Sequence, residues 1–427
     1  MVGVRDVMRY PSVRWFLVAG AVATTGSMLM ITALFKQAYD LTGNTLDIGI
    51  IGLAQFVPAL LLVLVSGTVA DRFDRRRVAA IAYGFESLLV LALVLYTVSD
   101  GGDVWPLFLI ALGIGTADAM LAPAIRSLPP LVAPPGLLPR VVALFSATWT
   151  GAAIVGPAVG GFLYSIDPAV AYIVAAVMIA IAALLTFAIT LVRAQEPSRE
   201  RPTLSTAVQG LRFVWRTPIV LAAVSLDMFA VLFGGAVALI PSVAEDRLGV
   251  GDVAYVWLRA APGIGAAAMA ITLAIRPVRR HVGSTLLVVV AAFGAATVVF
   301  GVTHSYALAF ISLVVLAAAD MISVFIRGSL VPLVTPNDQL GRVVAVESVF
   351  IGASNELGAF ESGVAAHVLG VPLAVAGGGI ATMVIAGLWA VLFPTLRRVD
   401  TFEQLEQEHI GSPRAVALPN EPADAGG

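Results

Sequence analysis

The chemistry-bearing residues of this chain are carboxylic acids set where water is scarce. Asp118, Asp227 and Asp320 stand inside long apolar runs, and Glu356 and Glu361 interrupt another. An ionised side chain at the centre of a bilayer costs about 3 kcal/mol, so each such acid needs a cation, a proton or water. Asp118 and Arg126 are eight positions apart and Asp320 and Arg327 seven, separations that return to nearly the same face of a helix. Each of those acids is therefore expected to pair with its own helix's arginine, through water. Asp227 has no cation along its run and is flanked by Phe229 and Phe233, which makes it the first candidate to carry a proton. Glu356 and Glu361 stand about 140° apart around a helix and should face different neighbours. Glu86 reads as structural.

Other chemistries lack their residues. There is no cysteine, the four histidines are scattered at 281, 304, 367 and 409, and no GxxxxGK[ST] loop or Ser/His/Asp arrangement is present. No enzymatic activity, cofactor or metal is expected. A receptor that sensed without transporting would need a folded soluble domain, and the polar segments are too short for one.

The elements that hold the acids follow from composition. Hydrophobic residues make up 59% of 427 positions and charged residues 12%, more apolar surface than a soluble fold could hide. A hydrocarbon core of about 30 Å takes around 20 helical residues, because lipid offers backbone amides no partner. Apolar runs fall at 15–36, 48–69, 78–97, 105–124, 141–163, 169–192, 219–241, 253–275, 284–303, 306–326, 343–365 and 372–394. The runs at 284–303 and 306–326 are divided only by Thr303-His304-Ser305. The first run is too long for a signal-peptide core and is expected to be retained.

Lys36 is the only lysine among 25 basic residues, and the arginines cluster between alternate runs, with only Arg247 in the opposite loops. The positive-inside rule then puts both termini in the cytoplasm. Arg140-Val-Val-Ala-Leu-Phe-Ser returns as Arg342-Val-Val-Ala-Val-Glu-Ser, Ile125-Arg126 as Ile326-Arg327, and Pro58 as Pro262. The chain divides into a first half over 1–192, a linker over 193–218, a second half over 219–396 and a tail over 397–427 expected to be disordered. Parallel repeats of this kind place a substrate cavity between the halves.

At the end of the second run stands Gly67-Thr-Val-Ala-Asp71-Arg72-Phe-Asp74-Arg75-Arg76-Arg77. It resembles the signature loop G-x-x-x-D-R-x-G-R-R of the major facilitator superfamily, with Asp74 where the pattern prefers glycine. Gly156-Pro157-Ala-Val-Gly160-Gly161 is similar to the core of the antiporter motif of drug-exporting members, and the segments around Asp227, Arg259 and Glu356 look like the enterobactin-exporter, macrolide and multidrug efflux branch. The resemblance spans about residues 10–400. It implies an all-α membrane protein of the major facilitator fold, with twelve spans in two six-helix pseudo-symmetric bundles. It further implies export of a small amphipathic molecule by proton antiport, the alternative being a lipid or lysolipid flippase or a non-transporting receptor.

In the family the signature loop latches against span eleven, so Glu347, where span five has Phe145, is expected to receive Arg72, Arg75 and Arg76. Thr24, Thr25, Ser27, Met28, Gln55 and Trp149 offer a mixed wall for an amphipathic ligand, while Lys36 and Arg259 read as snorkelling side chains that could instead attract an anionic cargo. The implied partners are a small-molecule substrate, protons and membrane lipid, without nucleic acid, for a monomer in a bacterial plasma membrane.

Overall fold

A computed structural model describes residues 7–99, 101–192 and 204–405, and the regular structure among them is helical. Twelve helices are long and apolar enough to cross a membrane. They are α1 (Pro11–Thr42), α2 (Thr45–Arg72), α3 (Arg75–Val98), α4 (Trp105–Arg126), α5 (Leu138–Ile166), α6 (Pro168–Ala188), α7 (Pro218–Phe233), α8 (Asp252–Ile275), α9 (Val282–Val302), α10 (Tyr306–Val334), α11 (Asn337–Leu369) and α12 (Val371–Leu392).

Local chemistry marks their ends. Gly43, at φ 61°, closes α1, and the Asn44 side chain then accepts from the Leu46 amide at 3.0 Å to start α2. Asp74 and Asp167 cap α3 and α6 in the same way, through the amides of Arg76 and Ala169. The Thr303-His304-Ser305 break separates α9 from α10, as expected. Three helices overrun their apolar runs: α1 reaches Thr42, α10 reaches Val334, and α11 starts at Asn337. Backbone hydrogen bonding carries these helices through the polar residues at which a reading of hydropathy stops. α7 ends early instead. After Phe233 the chain passes through a 3-10 turn over Gly235–Leu239 and a π turn over Val243–Arg247.

Packing repeats between the halves. α1 lies on α5 and α6, α2 on α4, and α3 on α4 and α6; likewise α7 lies on α11 and α12, α8 on α10, and α9 on α10 and α12. The halves meet where α2 packs on α11 and α5 on α8. Each bundle has its own core, around Leu29, Leu93 and Tyr172 in the first and Leu226, Leu286 and Leu330 in the second. Leu95, Leu184 and Val391 are exposed, as side chains facing hydrocarbon can be.

The loops at one end of the spans carry most of the arginines, and those at the other end carry Arg247. A helix over Leu204–Arg216 packs on α7 and α11 of the second bundle, with Val214 buried in the second core and Gln209 accepting from Arg342 Nη1 at 2.9 Å. Disorder was expected from Arg397 onward, and the structure corrects this as far as Leu405. Val399 and Leu405 are buried, and the His281 amide donates to Asp400 at 2.9 Å. Residues 406–427 lie outside the described residues.

Candidate functional site

Asp227 and Arg327 form an ion pair at 2.6 Å between α7 and α10, with side chains 6% and 5% exposed. Asp227 therefore has a fixed cation after all, on another helix. Asp320 does not take Arg327 as its own partner. The seven-residue separation sets the two about 10 Å apart along the axis, while the guanidinium crosses to α7 and its Nε donates to Ser323 at 3.3 Å. Asp320 still feels the charges of both Asp227 and Arg327, and so does Glu347 from α11. Asp227, Asp320 and Ser323 share the wall of a cavity of about 10 Å³, the size that admits one water. One carboxylate thus pairs with the Arg327 guanidinium inside the second bundle, and two more lie within the field of that pair.

The first bundle gathers acids that have no ion pair among the described residues. Glu86 is 0% exposed on α3; its Oε1 accepts from Ser27 Oγ of α1 at 2.6 Å, and its Oε2 has no hydrogen-bond partner among the described residues. Asp118 is exposed on α4 and acts electrostatically on both Glu86 and Glu356, the latter from α11 in the other bundle. Arg126, also exposed, does not pair with Asp118, since eight residues of helix separate them by about 12 Å. Glu361 lies apart from this group and has the neighbouring Ser362 hydroxyl at 3.5 Å.

The motif loop shows its local contacts. Arg75 Nη1 donates to the Ser127 carbonyl at 3.4 Å, and Arg76 binds Asp74 at 2.7 Å and the Ile189 carbonyl, all within the first bundle. Asp74, which departs from the motif's glycine, is the helix cap itself, and the hydrogen bond from Arg76 holds its carboxyl below the usual carboxylate range. Arg72 is exposed; the side chains of Gly67 and Asp71 lie outside the described residues. Glu347 was expected to receive this loop. It lies within the electrostatic reach of Arg327 and Asp227 in its own bundle, and the Asp71 side of the expected contact lies outside the described residues. The glycines of the antiporter-like segment hold α5 against its neighbours: a Cβ on Gly160 would stand 2.8 Å from the Leu29 carbonyl of α1, and Gly161 faces Val256 of α8. Pro157 lies in the same turn of α5 as these glycines.

A network missed by sequence reasoning joins the halves on the Arg-poor side. Lys36 of α1 binds Asp40 on its own helix and Glu245 in the π turn after α7, while Tyr39 donates to Asp246. Tyr164 donates to Asp40 at 2.7 Å, and Arg259 of α8 donates to Thr32 of α1 at 2.7 Å. Lys36 and Arg259 are 4% and 9% exposed, so neither snorkels. Snorkelling assumes that the nearest polar medium is the interface; here it is the other bundle. The available signal was the pair Glu245-Asp246 following an apolar run, at the level of the chain's lone lysine.

This architecture has known counterparts. A profile described as transmembrane secretion effector matches residues 7–422. The chain belongs to the major facilitator superfamily. The transporter is 27% identical over 409 residues to the multidrug efflux pump Tap of Mycolicibacterium fortuitum, covering 90% of this chain and 96% of that one. It is 23% identical over 342 residues to the enterobactin exporter EntS of Escherichia coli O1:K1, covering 78% and 80%. In fold it matches a bacterial homolog of the human lysosomal transporter Spinster, in an inward-facing and occupied conformation, with a TM-score of 0.68 at 15% identity over 94% of this chain and 99% of that one. It matches the nucleoside transporter NupG with a TM-score of 0.61 at 14% identity, over 91% and 99%. The protein is a multi-pass membrane transporter with efflux-pump homologues, and not an enzyme.

Proposed function

We propose that this transporter exports a small amphipathic molecule across a bacterial plasma membrane in exchange for protons, by alternating access between its two bundles. The observation that carries the proton reading is the charge count in the second bundle. Asp227 pairs with Arg327, and Asp320 and Glu347 lie within the field of that pair without an ion pair of their own among the described residues, so full ionisation would leave two negative charges uncompensated in the membrane. Proton uptake relieves that excess, and proton release lets Arg327 redistribute among the acids. Charges of this kind inside a membrane mark proton relays and ion paths.

Alternating access draws on the asymmetry of the contacts. The named cross-bundle bonds, from Lys36 to Glu245, Tyr39 to Asp246 and Arg259 to Thr32, all lie in the Arg-poor half. With the Arg-rich face in the cytoplasm by the positive-inside rule, this is a conformation closed to the outside. The efflux names of Tap and EntS favour export over import. A second reading, transport of a lipid-like amphiphile, draws on an apolar groove of about 440 Å³ among α2, α3 and α4, lined by Val69, Ile81, Phe85 and Met120 with Asp74 and Arg77 at one end.

The test is transport of ethidium and of a fluorescent lysolipid in proteoliposomes with an imposed pH gradient. Ethidium movement that follows the gradient in the wild type and loses that dependence in Asp227→Asn, Asp320→Asn or both is the expected result. Movement indifferent to the gradient, with all three acids intact, refutes proton exchange.

A further inference from the structure

Arg259 is a buried charge without a counter-ion among the described residues. Its Nη2 donates to the Thr32 hydroxyl at 2.7 Å and its Nη1 to the Val237 carbonyl at 3.1 Å, both neutral acceptors, and its Nε has no partner among the described residues. One turn earlier on α8, Tyr255 is 2% exposed, and its hydroxyl has no partner either. The two groups are close enough to interact electrostatically, and Lys36, Asp40 and Glu245 act on Tyr255 as well. Lys36 lies 5.5 Å from the Tyr255 ring, but its charge is already met by Asp40 and Glu245.

Buried donors left unmatched are costly, and a buried charge with only neutral acceptors more so. Water would satisfy the donors and leave the charge uncompensated. A planar guanidinium edge beside a hydroxyl is instead a donor set for the two oxygens of an oxyanion. The position suits a cargo group, since α8 meets α5 where the two halves join and Arg259 bonds across to α1. The acids of the two membrane clusters would repel the same group, which leaves Arg259 as its place of rest.

We propose that Arg259 and Tyr255 form a recognition site for an anionic group, a carboxylate or similar oxyanion, on the exported molecule. This rests on the export reading above. The site gives the carrier a preference for amphipaths bearing an acid over their neutral-ended counterparts. Arg259 keeps its bonds to Thr32 and Val237 as the scaffold that orients the free Nε edge.

The experiment uses rhodamine B, which carries a carboxylate, and its ethyl ester, which does not. Binding of both to the purified full chain in nanodiscs is followed by fluorescence anisotropy, and their movement in proteoliposomes by fluorescence. The wild type should prefer rhodamine B. Arg259→Gln should weaken rhodamine B about tenfold and leave the ester unchanged, and Tyr255→Phe should produce a smaller loss of the same kind. Arg259→Lys, which keeps the charge, should retain part of the preference and guards against a glutamine variant that fails to fold. Equal affinity for both dyes in the wild type, or equal weakening of both in Arg259→Gln, overturns the anion site and reduces Arg259 to a clamp between bundles, with export untouched. A wild type that moves neither dye nor ethidium sinks the export reading and this proposal with it.

Discussion

The shared guanidinium of the second bundle makes an unequal prediction for acids that look alike in sequence. Removing one member of a buried ion pair ordinarily costs about 3–5 kcal/mol, because the remaining charge is stranded. Asp227 is bonded to Arg327 at 2.6 Å, yet Asp320 and Glu347 already lie within its field. Asp227→Asn should therefore cost only about 1.5–3 kcal/mol, the worth of a hydrogen bond to a charged group, because a second acid takes over the cation. Asp320→Asn removes surplus negative charge and should cost nothing or stabilise. Once both are gone only Glu347 remains in the field of the guanidinium, so the double variant should lose about 1 kcal/mol or more beyond the sum of the single changes. Unfolding of the purified protein in mixed micelles by titration with SDS measures each value. Equal losses for Asp227→Asn and Asp320→Asn, with an additive double variant, would refute the idea that the acids share one cation.

Four further outcomes are expected. Asp74 has its carboxyl lowered from the ordinary value of 3.8 by the Arg76 hydrogen bond, so its stabilisation is complete above that value and is lost as pH falls through the lower folded value. Asp74→Ala should cost about 1 kcal/mol as a lost helix cap and flatten the acid limb of a pH-melting profile, whereas Asp74→Gly, the residue of the family motif, should cost a few tenths. Gly160→Val should lower the yield of folded protein in size-exclusion chromatography, since its Cβ would stand 2.8 Å from the Leu29 carbonyl and overpacking costs about 1–3 kcal/mol. Glu245→Gln should loosen the Arg-poor end. The chain has no cysteine, so spin labels on Val98→Cys and Leu369→Cys report the distance there directly, and an unchanged distance distribution would show that Lys36 and Glu245 do not hold that end. Glu86→Gln keeps an acceptor for Ser27 and should fold normally by thermal melting, whereas Glu86→Leu should melt lower.

Much of the architecture was legible along the chain. Period and length of the apolar runs identified twelve helices, since a backbone in lipid has few ways to satisfy its own amides. The returning Arg-Val-Val-Ala segment at 140 and 342 revealed the two bundles, whereas the capping roles of Asn44, Asp74 and Asp167 came from the structure. Helix ends were less legible, as α7 shows: Gly234-Gly235 breaks it inside an apolar run.

The presence of acids in the membrane was thus decided by sequence, and their partners were not. Counting along a helix offered Arg327 to Asp320 and Arg126 to Asp118, but a guanidinium on a long stem reaches a neighbouring helix more easily than a residue two turns away on its own. Arg327 went to Asp227, Asp118 went to the company of Glu86 and Glu356, and Lys36 found Glu245 at a distance of 209 positions. Hydropathy and periodicity are local and survive in one dimension. Charge pairing depends on which helices the packing of glycines and apolar faces brings side by side, and that is settled only when the bundles assemble.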